Sequence, residues 1–226
     1  MFSLACSTKK FNVVFLVDGS GSIEFQGRGN FQRSKDFIKA LINNFEVGRD
    51  QINVATVLFW DRFAIIHRLN TFYTKEEVLN AIQGMPYPGG GTRTGQGLDV
   101  IRNSILTNLG VRSQLTNIVV VVTDGLSQDS VSTPAKKLRD MGVIIISIGV
   151  GCCFYRPELN EMATDPDNTH VFDVAFRSLE TIVEPLFEQI CFGKLCLSSR
   201  RSQQLYVFKQ LINQKQLFIQ RIFCAH

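Results

Sequence analysis

The sequence predicts an α/β fold: a doubly wound, mainly parallel sheet of six strands, with one antiparallel edge strand and helices on both faces. Short apolar runs alternate with amphipathic segments, the runs are rich in β-branched residues, and one tight turn joins two neighbouring runs. Strands buried on both faces need continuous apolar sequence, whereas the helices that cover them show one apolar face. The 226 residues suffice for one such domain and are too few for two.

Six runs predict the strands. The central ones are residues 11–17, 118–123 and 143–150, which are nearly uninterrupted stretches of Val, Ile, Leu and Phe. Residues 52–59 and 63–69 are separated by a short turn and predict a hairpin, which supplies the antiparallel strand. Residues 170–174 form a weaker run that predicts a strand at an edge of the sheet.

Amphipathic segments between these runs predict the covering helices. The first helix has one apolar face, formed by Phe31, Phe37, Ile38, Leu41, Ile42 and Phe45. Further helices are predicted over residues 75–83, 95–106, 130–141 and 178–190. In the last of these, Ser178 is the expected N-cap and Pro185 is expected to kink the helix.

We predict three segments: a lead over residues 1–10, the domain over 11–191 and a basic tail over 192–226.

Charge and cysteine usage exclude several classes of protein. Six of the 24 basic residues lie in 193–226, which contains no acidic residue, so the domain itself is not basic and no nucleic-acid partner is expected. No segment has the roughly 20 apolar residues of a membrane span. The six cysteines lack the spacing of a structural zinc site.

Polar residues follow two of the central strands. Asp18, Ser20 and Ser22 come directly after the first strand, within a Gly-rich stretch, and Asp124 follows the fourth. Because these two strands are neighbours at the switch point of a doubly wound sheet, the two carboxylates are expected to lie close together at its carboxyl edge. Thr92 belongs to the loop Gly91-Thr92-Arg93-Thr94-Gly95, which precedes a helix at the same edge.

Two close carboxylates require either a counter-charge or a proton. Carboxylate, hydroxyl and water oxygens are the ligands of hard cations, so the pattern predicts a site for Mg²⁺, or for Mn²⁺ or Ca²⁺. A cation with only two carboxylate ligands stays electrophilic. It can therefore accept a further carboxylate, from an Asp or Glu of a partner protein.

Three motifs in this order resemble the metal-ion-dependent adhesion site of the von Willebrand factor A family: DGSGS after a strand, GGTRTG before a helix and VVVTDG at a later strand end. Residues 11–191 follow the strand and helix order of that family. The resemblance implies a Rossmann-like fold without catalytic residues, and it implies that Asp18, Ser20, Ser22, Thr92 and Asp124 are the metal ligands, directly or through water.

The sequence is most similar in character to the A domains of matrilins and matrix collagens. The resemblance implies a secreted adhesion module that binds a protein ligand, such as collagen or another matrix protein. It also implies a disulfide between Cys6 and Cys191, which flank the domain and should both lie at the edge opposite the metal. Residues 1–10 lack the apolar segment of a signal peptide, so a secreted protein is expected to have its natural start upstream.

Two alternatives remain open. An intracellular assembly module of the copine type would use the same fold as a scaffold. An enzyme is not expected, because a phosphoaspartate hydrolase would need Asp where Ser20 stands, and neither the serine-hydrolase motif G-x-S-x-G nor a P-loop occurs. The adjacent Cys152 and Cys153 have no counterpart in the family pattern.

Overall fold

A computed structural model describes residues 9–107 and 114–192 of the chain. Its strands form one sheet in the order β3-β2-β1-β4-β5-β6. These strands are β1 (Phe11–Asp18), β2 (Asn53–Phe59), β3 (Phe63–His67), β4 (Thr116–Thr123), β5 (Ile144–Val150) and β6 (Val171–Val174). Only β3 runs antiparallel to its neighbour. The predicted six-stranded, mainly parallel sheet with an antiparallel edge strand is confirmed.

Helices connect the strands. They are α1 (Gly21–Phe25), α2 (Asn30–Asn43), α3 (Lys75–Gln83), α4 (Thr94–Val100), α5 (Ser132–Asp140), α6 (Arg156–Met162), α7 (Asp167–His170) and α8 (Val183–Phe192). The predicted helix over 95–106 is α4 together with a π-helical turn, Ile101–Ile105. None of the helices in the described part of the chain is long and apolar enough to cross a membrane.

The predicted start of the last helix is wrong. A 3₁₀ helix covers Phe176–Ile182, so Ser178 lies inside it and does not cap an α-helix. The α-helix begins at Val183, which puts Pro185 in its first turn. The N–H groups of a first turn have no partner within the helix, so a proline is tolerated there and no kink is needed. The short helices α1, α6 and α7 were not predicted.

Helices cover both faces of the sheet, and every residue of β1 is buried. On one face, Leu16 belongs to an apolar cluster that includes Leu98 of α4. Phe11 has the opposite parity in β1 and points to the other face, where its ring lies 6.2 Å from that of Phe45. The ring of Phe45 in turn lies 5.9 Å from that of Phe187 in α8. With both faces covered by helices, a ligand can reach the sheet only at its edges.

The carboxyl edge brings the ends of β1 and β4 together. These two strands are paired in parallel, with Val17 opposite Val122, so Asp18 ends its strand beside Thr123 and Asp124. The loops that follow β1, β4 and β5 all leave from this edge. This arrangement is the crevice in which open α/β sheets bind their ligands.

The antiparallel strand ends in a buried histidine. His67 is 2% exposed, and its Nε2 lies 3.0 Å from Oγ1 of Thr56 on the neighbouring strand. Burial lowers the pKa of His67 from 6.5 to about 4. Below about pH 6.5 the unfolded chain therefore binds a proton that the folded protein refuses until about pH 4. The stability of the fold should fall as the pH drops through this window.

The substitution His67→Gln should remove this pH dependence, because an amide can still reach Thr56 but does not titrate. From about pH 7 to about pH 4.5, wild type should lose about 2–3 kcal/mol more unfolding free energy than the variant. Urea denaturation of both proteins across this range measures the difference. Equal pH slopes would contradict the assignment of a neutral, buried His67.

Candidate functional site

Asp18 is fixed by its neighbours at the end of β1. Its Oδ1 accepts a hydrogen bond of 2.8 Å from the backbone N–H of Ser20, and its Oδ2 accepts one of 2.7 Å from the hydroxyl of Thr123. The side chain is nearly inaccessible, at 1% exposure. The carboxylate is therefore held in one orientation before any ligand arrives.

Hydroxyl groups connect the two acidic residues. The Oγ atoms of Ser20 and Ser22 are 3.0 Å apart, and the Ser22 hydroxyl donates a 2.7 Å hydrogen bond to Oδ1 of Asp124. Ser20 stands at the N-cap of α1 and Ser22 in its first turn. The structure brings Asp18, Ser20, Ser22 and Asp124 into one hydrogen-bonded chain.

Thr92 faces the same point from a second loop. A methyl group built on Gly125 would lie 3.8 Å from both the Ser22 Oγ and the Thr92 Oγ1, so these hydroxyls converge above the end of β4. The carbonyl of Thr92 accepts a 2.7 Å hydrogen bond from the backbone N–H of Gln128. On the other side, Asp61 of the β2–β3 turn accepts one of 2.9 Å from the N–H of Gly91. The loop is thus held from both sides.

The electrostatics of the site are unfavourable for two bare carboxylates. The pKa of Asp124 is raised to about 6, mainly by burial and in addition by the charge of Asp18, while the hydrogen bonds from Ser22 and Gln26 lower it in part. Burial also raises the pKa of Asp18, which its hydrogen bonds with Ser20 and Thr123 only partly oppose. Negative charge is therefore concentrated where water cannot compensate it.

The donor set suits a hard cation. Among the residues that the structure describes, no cluster of three or more His, Cys, Asp and Glu side chains could hold a metal. A cation at this edge would accordingly rely on hydroxyl oxygens and on two carboxylates. Such a set favours Mg²⁺, Mn²⁺ or Ca²⁺ over ions that prefer sulfur or nitrogen.

Two residues of the site were missed by the sequence analysis. The Gln26 amide donates a 2.6 Å hydrogen bond from Nε2 to Oδ2 of Asp124, and its Oε1 accepts one of 3.0 Å from the N–H of Cys152. Tyr87 donates its hydroxyl to the carbonyl of Ser20 at 2.9 Å. The only signal for Gln26 was its closeness in the chain to Ser22, and nothing in the sequence pointed to Tyr87.

The predicted disulfide is only partly within the described residues. Cys191 is disulfide-bonded, whereas Cys152 and Cys153 are free. Cys6 lies outside the described residues, so its pairing with Cys191 stays a prediction. The predicted tail over 192–226 also lies outside them, apart from Phe192.

A doubly wound sheet that carries two carboxylates and converging hydroxyls at its switch point defines a ligand-binding α/β domain of the Rossmann-like class. The family model of the von Willebrand factor type A domain matches residues 12–185, and the chain belongs to this family.

Proteins with similar sequences include collagen chains and a matrilin. The chain is 35% identical over 191 residues to the collagen alpha-1(XII) chain of Notophthalmus viridescens. The aligned region covers 83% of this chain and 20% of that protein. It is 33% identical over 182 residues to matrilin-1 of Mus musculus, which covers 80% of this chain and 36% of that protein. The chain therefore spans only a part of the length of these relatives.

Solved structures show the same fold. Proximal thread matrix protein 1 from the mussel byssus superimposes with a TM-score of 0.76 at 28% identity, covering 82% of this chain and 47% of that one. A second structure of that protein, described as having a zinc-occupied metal-ion-dependent adhesion site, gives a TM-score of 0.77 at 28% identity, with 83% and 47% coverage.

The substitution Asp124→Asn should stabilise the protein in the presence of a chelator. Asparagine removes one buried charge; its Oδ1 can accept from Gln26 and its Nδ2 can donate to the Ser22 hydroxyl, so the free energy of unfolding should rise by about 1–3 kcal/mol at neutral pH. The gain should shrink as the pH falls through about 6, because the folded wild-type carboxyl then takes up a proton. Denaturation in EDTA measures it, and a destabilised variant would contradict the charge argument.

Proposed function

We propose that this domain is an adhesion module that binds a protein of the extracellular matrix through a divalent cation, held by Asp18, Ser20, Ser22, Thr92 and Asp124. The observation that carries the proposal is the hydrogen-bonded chain from Asp18 through Ser20 and Ser22 to Asp124. These hydrogen bonds hold oxygen atoms at the ends of two strands in position to coordinate a cation. The expected cation is Mg²⁺, with Mn²⁺ or Ca²⁺ as substitutes.

The bound cation would supply Lewis acidity to a carboxylate of the partner. The protein's own residues do the rest: they position the oxygens and limit the negative charge of the site to two carboxylates. A further carboxylate, from an Asp or Glu of the partner, then completes the charge balance. Burial of Asp18 and Asp124 strengthens this attraction because bulk water does not screen it.

Apolar side chains around the site favour a protein ligand over a free small anion. Phe25, at the end of α1, is 91% exposed, Leu126 is 55% exposed two residues after Asp124, and Tyr155 is 52% exposed in the loop that follows β5. All three belong to segments that leave the carboxyl edge of the sheet. Exposed aromatic and aliphatic groups next to a charged centre are typical of protein interfaces.

The relatives indicate the class of partner and the compartment. Collagen chains and matrilin-1 are matrix proteins, so collagen or another matrix component is the proposed ligand and secretion the proposed location. The disulfide at Cys191 supports an oxidising compartment, and it argues against the intracellular scaffold that the fold alone would also permit.

A catalytic role receives no support from the described histidines. His67 is buried within β3, and His170 precedes β6 at the opposite edge of the sheet. Neither residue can reach the carboxylates to act as a general base. We therefore propose binding without turnover.

Thr92, in the loop before α4, and Thr94, the first residue of that helix, provide a matched test of the cation site. Thr92→Val removes a proposed ligand without changing the side-chain shape, whereas Thr94→Val removes a buried hydroxyl that has no hydrogen-bond partner. Calorimetric titration of Mn²⁺ into cation-free protein should show an affinity reduced by at least about tenfold for Thr92→Val, the smallest loss usual for a perturbed metal site. Thr94→Val should bind like wild type. Equal affinity of all three proteins, or binding by none, would overturn the proposal.

Immobilised collagen fibrils test the partner and the role of its acidic groups. The domain should bind native fibrils in Mn²⁺ and lose binding when EDTA is added. Fibrils whose carboxyl groups have been amidated should not be bound, because no carboxylate remains to reach the cation. Binding that is indifferent to both treatments would exclude the cation mechanism. Absence of binding to native fibrils would exclude collagen as the ligand.

A further inference from the structure

Two adjacent thiols lie beside the candidate site without any role in it. Cys152 and Cys153 follow β5 at the carboxyl edge of the sheet, and both are exposed and free. The hydrogen bond with Cys152 raises the pKa of the Cys153 thiol, and the charge of Asp124 raises it further. The two thiols are adjacent in the chain and lie at the edge of the sheet that also carries Asp124.

Gln26 connects this pair to the site. Its Oε1 accepts hydrogen bonds from both the backbone N–H of Cys152, at 3.0 Å, and the thiol of Cys152, at 3.3 Å. Its Nε2 donates to Oδ2 of Asp124 at 2.6 Å. A single amide side chain thus has the thiol loop on one end and a proposed metal ligand on the other.

We propose that Cys152 and Cys153 form a redox-active vicinal dithiol, which closes to an intramolecular disulfide and thereby weakens cation binding at the neighbouring site. The coupling to the cation rests on the proposed function, whereas the closure of the ring does not. The oxidant is a low-molecular-weight disulfide, which the exposed position of the pair can admit.

The reaction is two successive thiol–disulfide exchanges. One thiol loses its proton to solvent and attacks a sulfur of the oxidant RSSR, which forms a mixed disulfide and releases RS⁻. The second thiol loses its proton and attacks the protein sulfur of that mixed disulfide, which closes the ring and releases a second RS⁻. Both released thiolates take up protons, so two cysteine thiols are oxidised to one disulfide while RSSR is reduced to two RSH.

Adjacent cysteines form a disulfide that is easily reversed. Neighbouring α-carbons are about 3.8 Å apart across a trans peptide, below the roughly 4.4 Å at which disulfides normally begin. The ring is therefore strained, and strained, exposed disulfides belong to the labile class that serves regulation. The disulfide of Cys191 involves neither Cys152 nor Cys153, because both of these residues are free.

Closure of the ring changes what Gln26 can bind. A disulfide sulfur carries no hydrogen, so Gln26 loses the hydrogen bond from the Cys152 thiol. The backbone N–H of Cys152 remains as a donor, but the ring restrains the loop to which it belongs. A less firmly held Gln26 positions Asp124 less well. Loss of an outer partner of a metal ligand typically weakens metal binding by about 10- to 100-fold, and this partial loss should weaken it by about three- to tenfold.

The test uses the full chain, glutathione disulfide as oxidant and Mn²⁺ alone as the binding probe. After oxidation, mass mapping of the alkylated protein should find the peptide that contains Cys152 and Cys153 lighter by two hydrogen atoms and unalkylated. Calorimetry should show Mn²⁺ affinity reduced by about three- to tenfold, and reduced glutathione should restore it.

Three variants distinguish the coupling from general oxidative damage to the protein. The double variant Cys152→Ser with Cys153→Ser retains the other cysteines, so its Mn²⁺ affinity should not respond to the oxidant. Gln26→Ala should bind Mn²⁺ more weakly than reduced wild type, and oxidation should change its affinity little. Gln32→Ala, on the exposed side of α2, should respond to the oxidant like wild type.

Three results would overturn the proposal: glutathione adducts that persist at these cysteines, dimers linked through them, or equal Mn²⁺ affinity of the reduced and ring-closed forms. Failure of the proposed function is distinguishable from these. If no form of the protein binds Mn²⁺, the cation site and its coupling both fail, while the mass measurement still decides whether the ring closes.

Discussion

The parallel pairing of β1 with β4 places two carboxylates, Asp18 and Asp124, at one buried edge of the sheet, and much of the site is arranged around that constraint. Two acids brought this close raise each other's cost of ionisation. Neighbouring groups partly stabilise the negative charge, because Thr123, Ser22 and Gln26 each donate a hydrogen bond to one of the two carboxylates. These donors orient the oxygens but bring no positive charge. A divalent cation would supply what they lack.

The same constraint explains why the site is buried on its inner side and open on its outer side. The inner groups lie on strand ends, where both faces of the sheet are closed by helices. The outer groups, among them Phe25 and Leu126, lie on loops that face solvent. A partner would therefore meet a fixed cluster of oxygens framed by apolar side chains. The thiols of Cys152 and Cys153 stand on the same outer rim, where solvent reaches them.

The sequence was sufficient for the sheet because a strand buried on both faces must be apolar throughout, and the runs of β1, β4 and β5 are short, apolar and rich in β-branched residues. It was also sufficient to predict which residues gather at the carboxyl edge, since strand order fixes that. It failed for the last helix, where the 3₁₀ segment and Pro185 in a first turn depend on packing that leaves no local signature. Gln26 was not predicted for a related reason. Its partners Asp124 and Cys152 are distant in sequence, and no local sequence pattern indicates that a glutamine will contact them.

We propose that one cation is held together by the oxygens of Asp18, Ser20, Ser22, Thr92 and Asp124, with a coordination position left for a partner. A crystal structure of the protein grown with Mn²⁺ tests this most directly, because the anomalous signal locates the ion without reference to its ligands. We expect one peak at the carboxyl edge, within about 2.0–2.6 Å of the serine and threonine hydroxyls, with at least one coordination position taken by water or by an acidic group of a neighbouring molecule. A peak elsewhere, or none at this edge, would contradict it.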